Sequence, residues 1–452
     1  MQESITKVRP SWGRRLAGIE GLRGIAAISV LLYHLGLGAS YQVLIGPVSI
    51  LLTLLDQGLT LFFVLSGFLL FRPFVTTLME DKALPSIRRY ARNRLLRIYP
   101  AYVVIFVVTG LIFAAAFIKG STHGLGPDNI GRITDPVQIL ANLALVQMLI
   151  PSFVMTGLPV SWSLTAEVSF YIILALIAIW SARLIRRGAS KTAVLFGFPV
   201  GMIALGVGVT LWGYKATLGL SPAAAGDFAF GQNWTAVLLR SVLGQADLFG
   251  YGMIAAVVVA KLHDRDVHRV STGSKIVLLL AAGLVELTGF TLLRPLLSNM
   301  SGIAAALILL AVVLPSSRHG NANRAAKVLE WLPFRFTGLI SYSIYLWHLP
   351  ILLWLISHDM LFGSNARSMP LNGLLVLAIA LPLSTLTYYL VERPAMKLKK
   401  PTGRPAKGGP GVPGGISSAE VASFERSGSM SSPVGISGAK PADSREFLEE
   451  TR

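Results

Sequence analysis

Of seven histidines, only His34 and His348 fall inside long apolar runs; the other five lie in loops or near the ends of such runs. An ionisable side chain in a membrane-length apolar run is costly, which makes it a functional candidate. His34 stands in GLRGIAAISVLLYHLG, eleven residues after Arg23. At about 100° per residue that spacing returns to within about 20° of its start, so both side chains share one helix face, about 16 Å apart along the axis. A guanidinium at the membrane edge with an imidazole deep on the same face suits a ligand with an anionic head and a long thin arm, such as acyl-coenzyme A. A neutral imidazole there can take the proton of an attacking hydroxyl. The competing reading is a structural histidine bonded to a backbone carbonyl across a helix interface. On the residues alone the two readings weigh evenly.

Three further clusters carry chemistry. IRRYARNRLLRIYP holds Arg88, Arg89, Arg92, Arg94 and Arg97 with no lysine among them. Guanidinium forks grip phosphate oxygens two at a time, although basic residues also gather beside spans for topological reasons alone. In SWSLTAEVSFY, Ser163, Glu167 and Tyr171 repeat every four residues and share a helix face. Glu167 is expected at the depth of His34, where a carboxylate would orient the imidazole or receive the acceptor hydroxyl. In LISYSIYLWHLPI, Ser341, Tyr345 and His348 form a polar stripe. The stripe reads as an interhelical hydrogen-bond seam or as the lining of an acceptor cavity. Asp56, Asp247 and Glu286 are further carboxylates in or beside apolar runs. Asp247 and Glu286 are left unassigned, a buried partnership with an arginine being one role open to either. No His/Asp/Glu cluster has metal-ligand spacing, so neither a metal nor a bound cofactor is expected.

The elements that position these residues are membrane helices. The chain has 452 residues, 53% hydrophobic and only 14% charged, with mean hydropathy +0.63. Soluble domains carry about a quarter charged residues. Apolar runs near 24–38, 58–75, 99–118, 161–182, 192–213, 238–260, 275–293, 301–315, 336–357 and 371–391 approach the roughly 20 residues that cross a bilayer. An all-α bundle of about ten spans follows, with both termini cytoplasmic. That placement puts 34 of the 40 Lys and Arg inside and leaves Lys119, Arg132, Lys215, Arg240, Arg294 and Arg367 outside. The net charge of +18 therefore reads as topology and not as nucleic-acid binding. Residues 136–155 are apolar enough to span, but an eleventh span would turn Arg183, Arg186 and Arg187 outward. They are read as a re-entrant or interfacial segment, with Pro151 and Pro159 breaking the helix.

Cysteine is absent, which excludes disulfides and a thiol nucleophile. The organisation expected is a basic arm over 1–20, a membrane domain over 21–395 and a Gly/Pro/Ser-rich disordered cytoplasmic tail over 396–452. No cleavable signal peptide and no internal repeat are visible, and the latter weakens a transporter reading.

Taken in order, LRGIAAISVLLYH, LTLFFVLSGFLLFRP, RNRLLRIYPAY, VSWSLTAEVSFY, ISYSIYLWHLP and VERP resemble the acyltransferase 3 family of integral membrane O-acyltransferases, from about Gly18 to Pro394. The resemblance implies a ten-span helical fold in the plasma membrane. It also implies transfer of an acyl group from cytoplasmic acyl-coenzyme A to a hydroxyl of an envelope glycan, a glycolipid or a small metabolite. His34 would be catalytic, and Arg23, Arg94 and Arg97 would serve the donor; to these the residue reading adds Glu167, orienting His34 or the acceptor, and Arg92 of the arginine stretch as a further donor contact. Transfer directly or through an acyl-imidazole both remain open. Two departures stand out: Thr60 occupies a position where the family often has an acid, and Val168 one where it often has a second Glu. A lipid or glycan exporter is the rival function.

Overall fold

The computed structural model describes residues 16–39, 48–118, 129–264, 270–315, 324–363, 365 and 367–399. The basic residues before position 16, Lys119, the loop histidines His123, His268 and His319, Arg318 and the tail from residue 400 lie outside the described residues. The helices run in chain order as α1 (Ile19–Ala39), α2 (Ser49–Asp56), α3 (Gly58–Met79), α4 (Ile87–Phe106), α5 (Pro136–Leu143), α6 (Trp162–Arg186), α7 (Lys191–Thr217), α8 (Pro222–Phe230), α9 (Trp234–Arg240), α10 (Ala246–Asp264), α11 (Thr272–Thr291), α12 (Leu297–Val313), α13 (Arg324–Leu329), α14 (Leu332–Leu339), α15 (Ser341–Ser357), α16 (Met369–Thr387) and α17 (Arg393–Lys397). Among the described residues, nine helical segments are long and apolar enough to cross a membrane, and the bent pair α14–α15 makes a tenth. The chain is a polytopic helical membrane protein, and the ten apolar runs map one to one onto these segments.

The helices differ from the apolar runs where local chemistry overrides hydropathy. The third span starts at Ile87, because Ser86 caps it by accepting from the Arg89 N–H at 3.5 Å. The arginine stretch is therefore the first part of that helix and not a loop before it. The sixth apolar run is split: Asn233 caps α9 by accepting from the Ala236 N–H at 2.8 Å, and the span α10 begins only at Ala246. The ninth is bent by 73° between Leu339 and Ser341.

Residues 136–155 form no continuous helix. After α5, capped by Asp135 with Pro136 at its first position, the chain makes short 3-10 turns at Gln147–Leu149, Pro151–Phe153 and Pro159–Ser161. Irregular backbone at membrane depth survives only where protein satisfies its polar groups. Here Asn142, Gln147, Thr156 and Ser161 are each 0% exposed. Gln147 Nε2 donates to Ser161 Oγ at 2.8 Å and Asn142 Nδ2 to the Gln138 carbonyl at 3.0 Å. The Tyr102 hydroxyl on α4 donates to the Asn142 carbonyl at 2.8 Å. This plug hands the chain to the start of α6 and so fixes where Ser163 and Glu167 stand.

Close backbone approach holds the frame together. Lipid tails are as apolar as leucine, so membrane helices associate by packing, and small residues let them meet. Where α3 crosses α10, a Cβ on Gly67 would stand 2.1 Å from the Phe249 carbonyl oxygen, and one on Gly252 would stand 2.0 Å from that of Val64. The aromatic pair Phe170–Phe249, stacked at 4.0 Å between centroids, ties α6 to the same crossing.

Candidate active site

Two cavities open within the bundle, and their linings differ in charge. The narrow one has a volume of about 110 Å³. Its charged lining is Arg23 from α1, Arg94 and Arg97 from α4, and Glu167 from α6. Helical periodicity explains the pair on α4: positions 94 and 97 lie about 60° apart around the axis, whereas 92 lies about 160° from 94 on the other side. Arg92 accordingly sits on the outward face of α4 with Arg88, Leu95 and Tyr99 and does not reach the cavity, which corrects its expected place among the donor residues. Arg23 makes no hydrogen bond to a described residue, and Arg94 is held over the Tyr90 ring at 5.5 Å, its Nε buried and unpartnered. Three guanidinium groups thus face one carboxylate. Lys399, just past the last span, adds to this field: burial, with Arg97, Arg94 and Arg23 nearby, pushes its amine down to about 7.

Glu167 belongs to this cationic cavity. It accepts from Ser66 Oγ at 3.1 Å and from the Tyr171 hydroxyl at 2.8 Å. It makes no hydrogen bond to His34, so the expected pairing of these two residues does not form. One turn of α6, about 6 Å, separates Glu167 from Ser163, and it is Ser163 that reaches the histidine level: its Oγ lies 2.7 Å from the Tyr345 hydroxyl. Arg97 is anchored from behind. Its Nη1 lies 3.7 Å from Glu392, which is buried and accepts from Ser343 Oγ at 2.5 Å. Glu392 comes from the VERP block, where Tyr388–Glu392 is wound as a π-helix between α16 and α17. Such a turn re-aims side chains relative to an α-helix.

His34 and His348 form a pair that neither local sequence announces. His34 Nδ1 lies 2.9 Å from the Val30 carbonyl and 3.3 Å from His348 Nε2. His348 Nδ1 lies 3.2 Å from the Ile344 carbonyl. A carbonyl oxygen only accepts, so each Nδ1 carries a hydrogen. His348 Nε2 is then a bare acceptor, and the His34 Nδ1–H is shared between it and Val30. What remains is His34 Nε2, with a lone pair and no partner among the described residues. That is the tautomer a base requires. His348 is buried, whereas His34 is partly accessible. Tyr345 packs 5.8 Å from His348 between ring centroids and also lines the narrow cavity, so the pair borders that cavity through Tyr345.

The wide cavity, about 500 Å³, lies on the other side of Leu59 and Phe63, which line both. Its charged lining is Asp56, Asp247, Arg240 and Arg294. Thr60, at the position where an acid was expected from resemblance, lines this cavity and donates to Gln57 Oε1 at 3.1 Å. Tyr33, edge-on to His34 at 5.3 Å between centroids, lies within the electrostatic reach of Asp56 and Arg240.

The structure thus brings Arg23, Arg94, Arg97, Ser163, Glu167, Tyr171 and Tyr345 to one cavity and joins His348 to His34 beside it. Ser341 is buried, lines neither cavity, and its Oγ has no partner. Of the unassigned carboxylates, Asp247 accepts from Asn299 Nδ2 at 2.8 Å and Glu286 from Ser301 Oγ at 2.9 Å, and neither pairs with an arginine among the described residues. Sequence reasoning missed Tyr342, whose hydroxyl donates to the Ile98 carbonyl at 2.8 Å and which lines the narrow cavity. Its signal was present, one residue after Ser341 in the same polar block.

Curated relatives share the membrane domain. A peptidoglycan O-acetyltransferase, OatA, of Listeria monocytogenes is 26% identical over 346 residues, covering 74% of this chain and 49% of the relative. A putative peptidoglycan O-acetyltransferase, YrhL, of Bacillus subtilis is 24% identical over 388 residues, with 84% and 55% covered. The O-acetyltransferase OatA of Staphylococcus aureus is 24% identical over 362 residues, with 76% and 52% covered. The chain spans about half the length of the curated relatives it matches. No solved structure matches it. The family model described as an acyltransferase domain matches residues 16–389, and the chain belongs to the acyltransferase 3 family.

Proposed function

We propose that the protein is an O-acyltransferase of the plasma membrane that moves an acyl group from cytoplasmic acyl-coenzyme A to a hydroxyl of an envelope glycan or glycolipid. The observation that carries this reading is the convergence of Arg23, Arg94 and Arg97 on one narrow cavity that borders, through Tyr345, an imidazole with a free Nε2. Half-buried cations in excess of carboxylates call for an anion. The phosphates of coenzyme A fit that call at the arginine mouth, and the enclosed volume admits a thin acyl-bearing arm. The excess of Lys and Arg in alternate loops supports a cytoplasmic position for this mouth. The named relatives act on peptidoglycan or are O-acetyltransferases, which supports a glycan acceptor and an acetyl group.

In this mechanism His34 Nε2 removes the proton of the acceptor hydroxyl as its oxygen attacks the thioester carbonyl. The carbon–sulfur bond then breaks and coenzyme A leaves as the thiol, taking the proton from the His34 imidazolium. His348 and Val30 hold His34 Nδ1–H throughout. Glu167, held by Ser66 and Tyr171, faces the arginines and limits their mutual repulsion.

The test uses purified, detergent-solubilised protein with labelled acetyl-coenzyme A, with and without a glycan and lipid extract of the source membrane. Thiol release that needs the extract, with label moving to a glycan, is expected. Absence of release with acetyl, succinyl and longer donors contradicts the reading and leaves the exporter, to be assayed by vesicle uptake.

A further inference from the structure

We infer that the wide cavity is a binding site for a neutral sugar unit, and that it is where the acceptor glycan lodges. The identification of the glycan as acceptor rests on the proposed acyl transfer; the sugar site itself does not. Its volume of about 500 Å³ lies within the usual range of small-ligand pockets, roughly 300–1,000 Å³. Its charges balance, two carboxylates against two guanidiniums, which is the opposite of the narrow cavity. A net-neutral lining gives no driving force for phosphate, but a balanced set of donors and acceptors matches hydroxyl groups, which both donate and accept.

Two of the four charged groups, Asp56 and Arg240, are also left largely available, whereas Asp247 is held by Asn299 and Arg294 by Phe290. Asp56 makes no hydrogen bond to a described residue and forms no ion pair with Arg240 within 4.0 Å, although each lies in the other's field. Arg240 Nε is used on the Ala229 carbonyl at 3.3 Å, and its guanidinium is pinned 3.7 Å from the Phe230 centroid and 5.3 Å from that of Trp162. Neither Nη atom makes a hydrogen bond to a described residue. Asn299 Oδ1 is buried without a partner, while its Nδ2 is held by Asp247. A sugar ring has an apolar face and a polar rim, and the half-buried Trp162 ring supplies the surface that takes such a face. Tyr33, edge-on to His34, lies in the field of Asp56 and Arg240 of this cavity.

The experiment is equilibrium binding of a tritiated β-1,4-linked N-acetylglucosamine tetrasaccharide to the solubilised full chain, without any acyl donor. Saturable binding by the wild type is expected. Asp56→Asn and Arg240→Lys are each expected to weaken it at least tenfold, while His34→Ala binds as the wild type does. Inorganic phosphate in excess should not compete. No saturable binding by the wild type overturns the site, as does unchanged affinity in both variants, or displacement by phosphate. If one variant fails a thermal-unfolding check, the other decides. Because no donor is present, a failure here is separate from a failure of acyl transfer: binding without thiol release keeps the site and removes the enzyme reading, and the reverse keeps the enzyme and removes the site.

Discussion

The two cavities share a wall, Leu59 and Phe63, yet they are built on opposite principles. The narrow one concentrates positive charge: three guanidiniums, one carboxylate, and a second carboxylate, Glu392, placed behind Arg97 instead of in the cavity. The wide one balances its charges and leaves them apart. A site with net charge selects a ligand by charge and position, whereas a neutral polar site selects by the arrangement of donors and acceptors. The difference teaches that one helical bundle can hold two chemically unlike cavities on either side of a shared pair of side chains. His34 is linked to the first cavity through His348 and Tyr345, and its neighbour Tyr33 lies in the field of Asp56 and Arg240 of the second.

The sharpest way to break this comparison is His34→Ala. Loss of a general base costs about 10²–10⁴-fold in rate. Turnover is expected to fall by that factor, while coenzyme A and sugar binding each stay within twofold of wild type by equilibrium dialysis. Retained turnover would detach both cavities from His34. Next in size is the double variant Arg94→Gln/Arg97→Gln. Hydrogen bonds to charged groups contribute about 1.5–3 kcal/mol each, so the donor KM is expected to rise at least about 100-fold with sugar affinity unchanged. Arg92→Gln serves as the control, expected to leave the donor KM where it is.

A smaller effect sharpens the role of the second histidine. His348→Phe removes the acceptor of the His34 Nδ1–H while Val30 still holds it. A net hydrogen bond is worth about 1 kcal/mol, so kcat should fall about fivefold with both KM values unmoved. His348→Gln, which restores an acceptor, should recover part of the loss, whereas a purely structural role would show as equal damage by both. The smallest effect is on pH. Lys399 is charged below about pH 7 and neutral above it. Its ammonium adds to the attraction for an anionic donor only at the lower pH. The donor KM is therefore expected to rise severalfold from pH 6 to pH 8, and Lys399→Met should flatten that rise, as read from initial rates at saturating acceptor.

Much of this was legible in the sequence because it is periodic. Ten apolar runs became ten spans, and the four-residue repeat of Ser163, Glu167 and Tyr171 did bring all three to one cavity. Periodicity also held the information that excludes Arg92, since 92 and 94 cannot share a narrow helix face. What a single sequence does not hold is which face meets which. Glu167 is partnered by Ser66, 101 residues away, and His34 by His348, 314 residues away. Such pairings are set by how α1, α3, α6 and α15 pack. The break at Ile340 was similarly hidden, whereas the interruption over 136–155 was legible from Pro151 and Pro159; only the partners of its buried amides, such as Ser161 for Gln147, were not. Asp56 and Arg240 stood in the sequence as an edge residue and a stray outer cation; only the packing makes them two sides of a cavity.

The chain has no cysteine, so His34→Cys places a single thiol at the proposed base. The decisive measurement is the rate at which a small methanethiosulfonate modifies that variant, with and without saturating desulfo-coenzyme A, which has no thiol of its own. The expected result is strong slowing by the coenzyme A analogue, and loss of that protection when Arg94→Gln/Arg97→Gln is added. Modification at an unchanged rate in the presence of the bound analogue would contradict a donor path from the arginine mouth to His34.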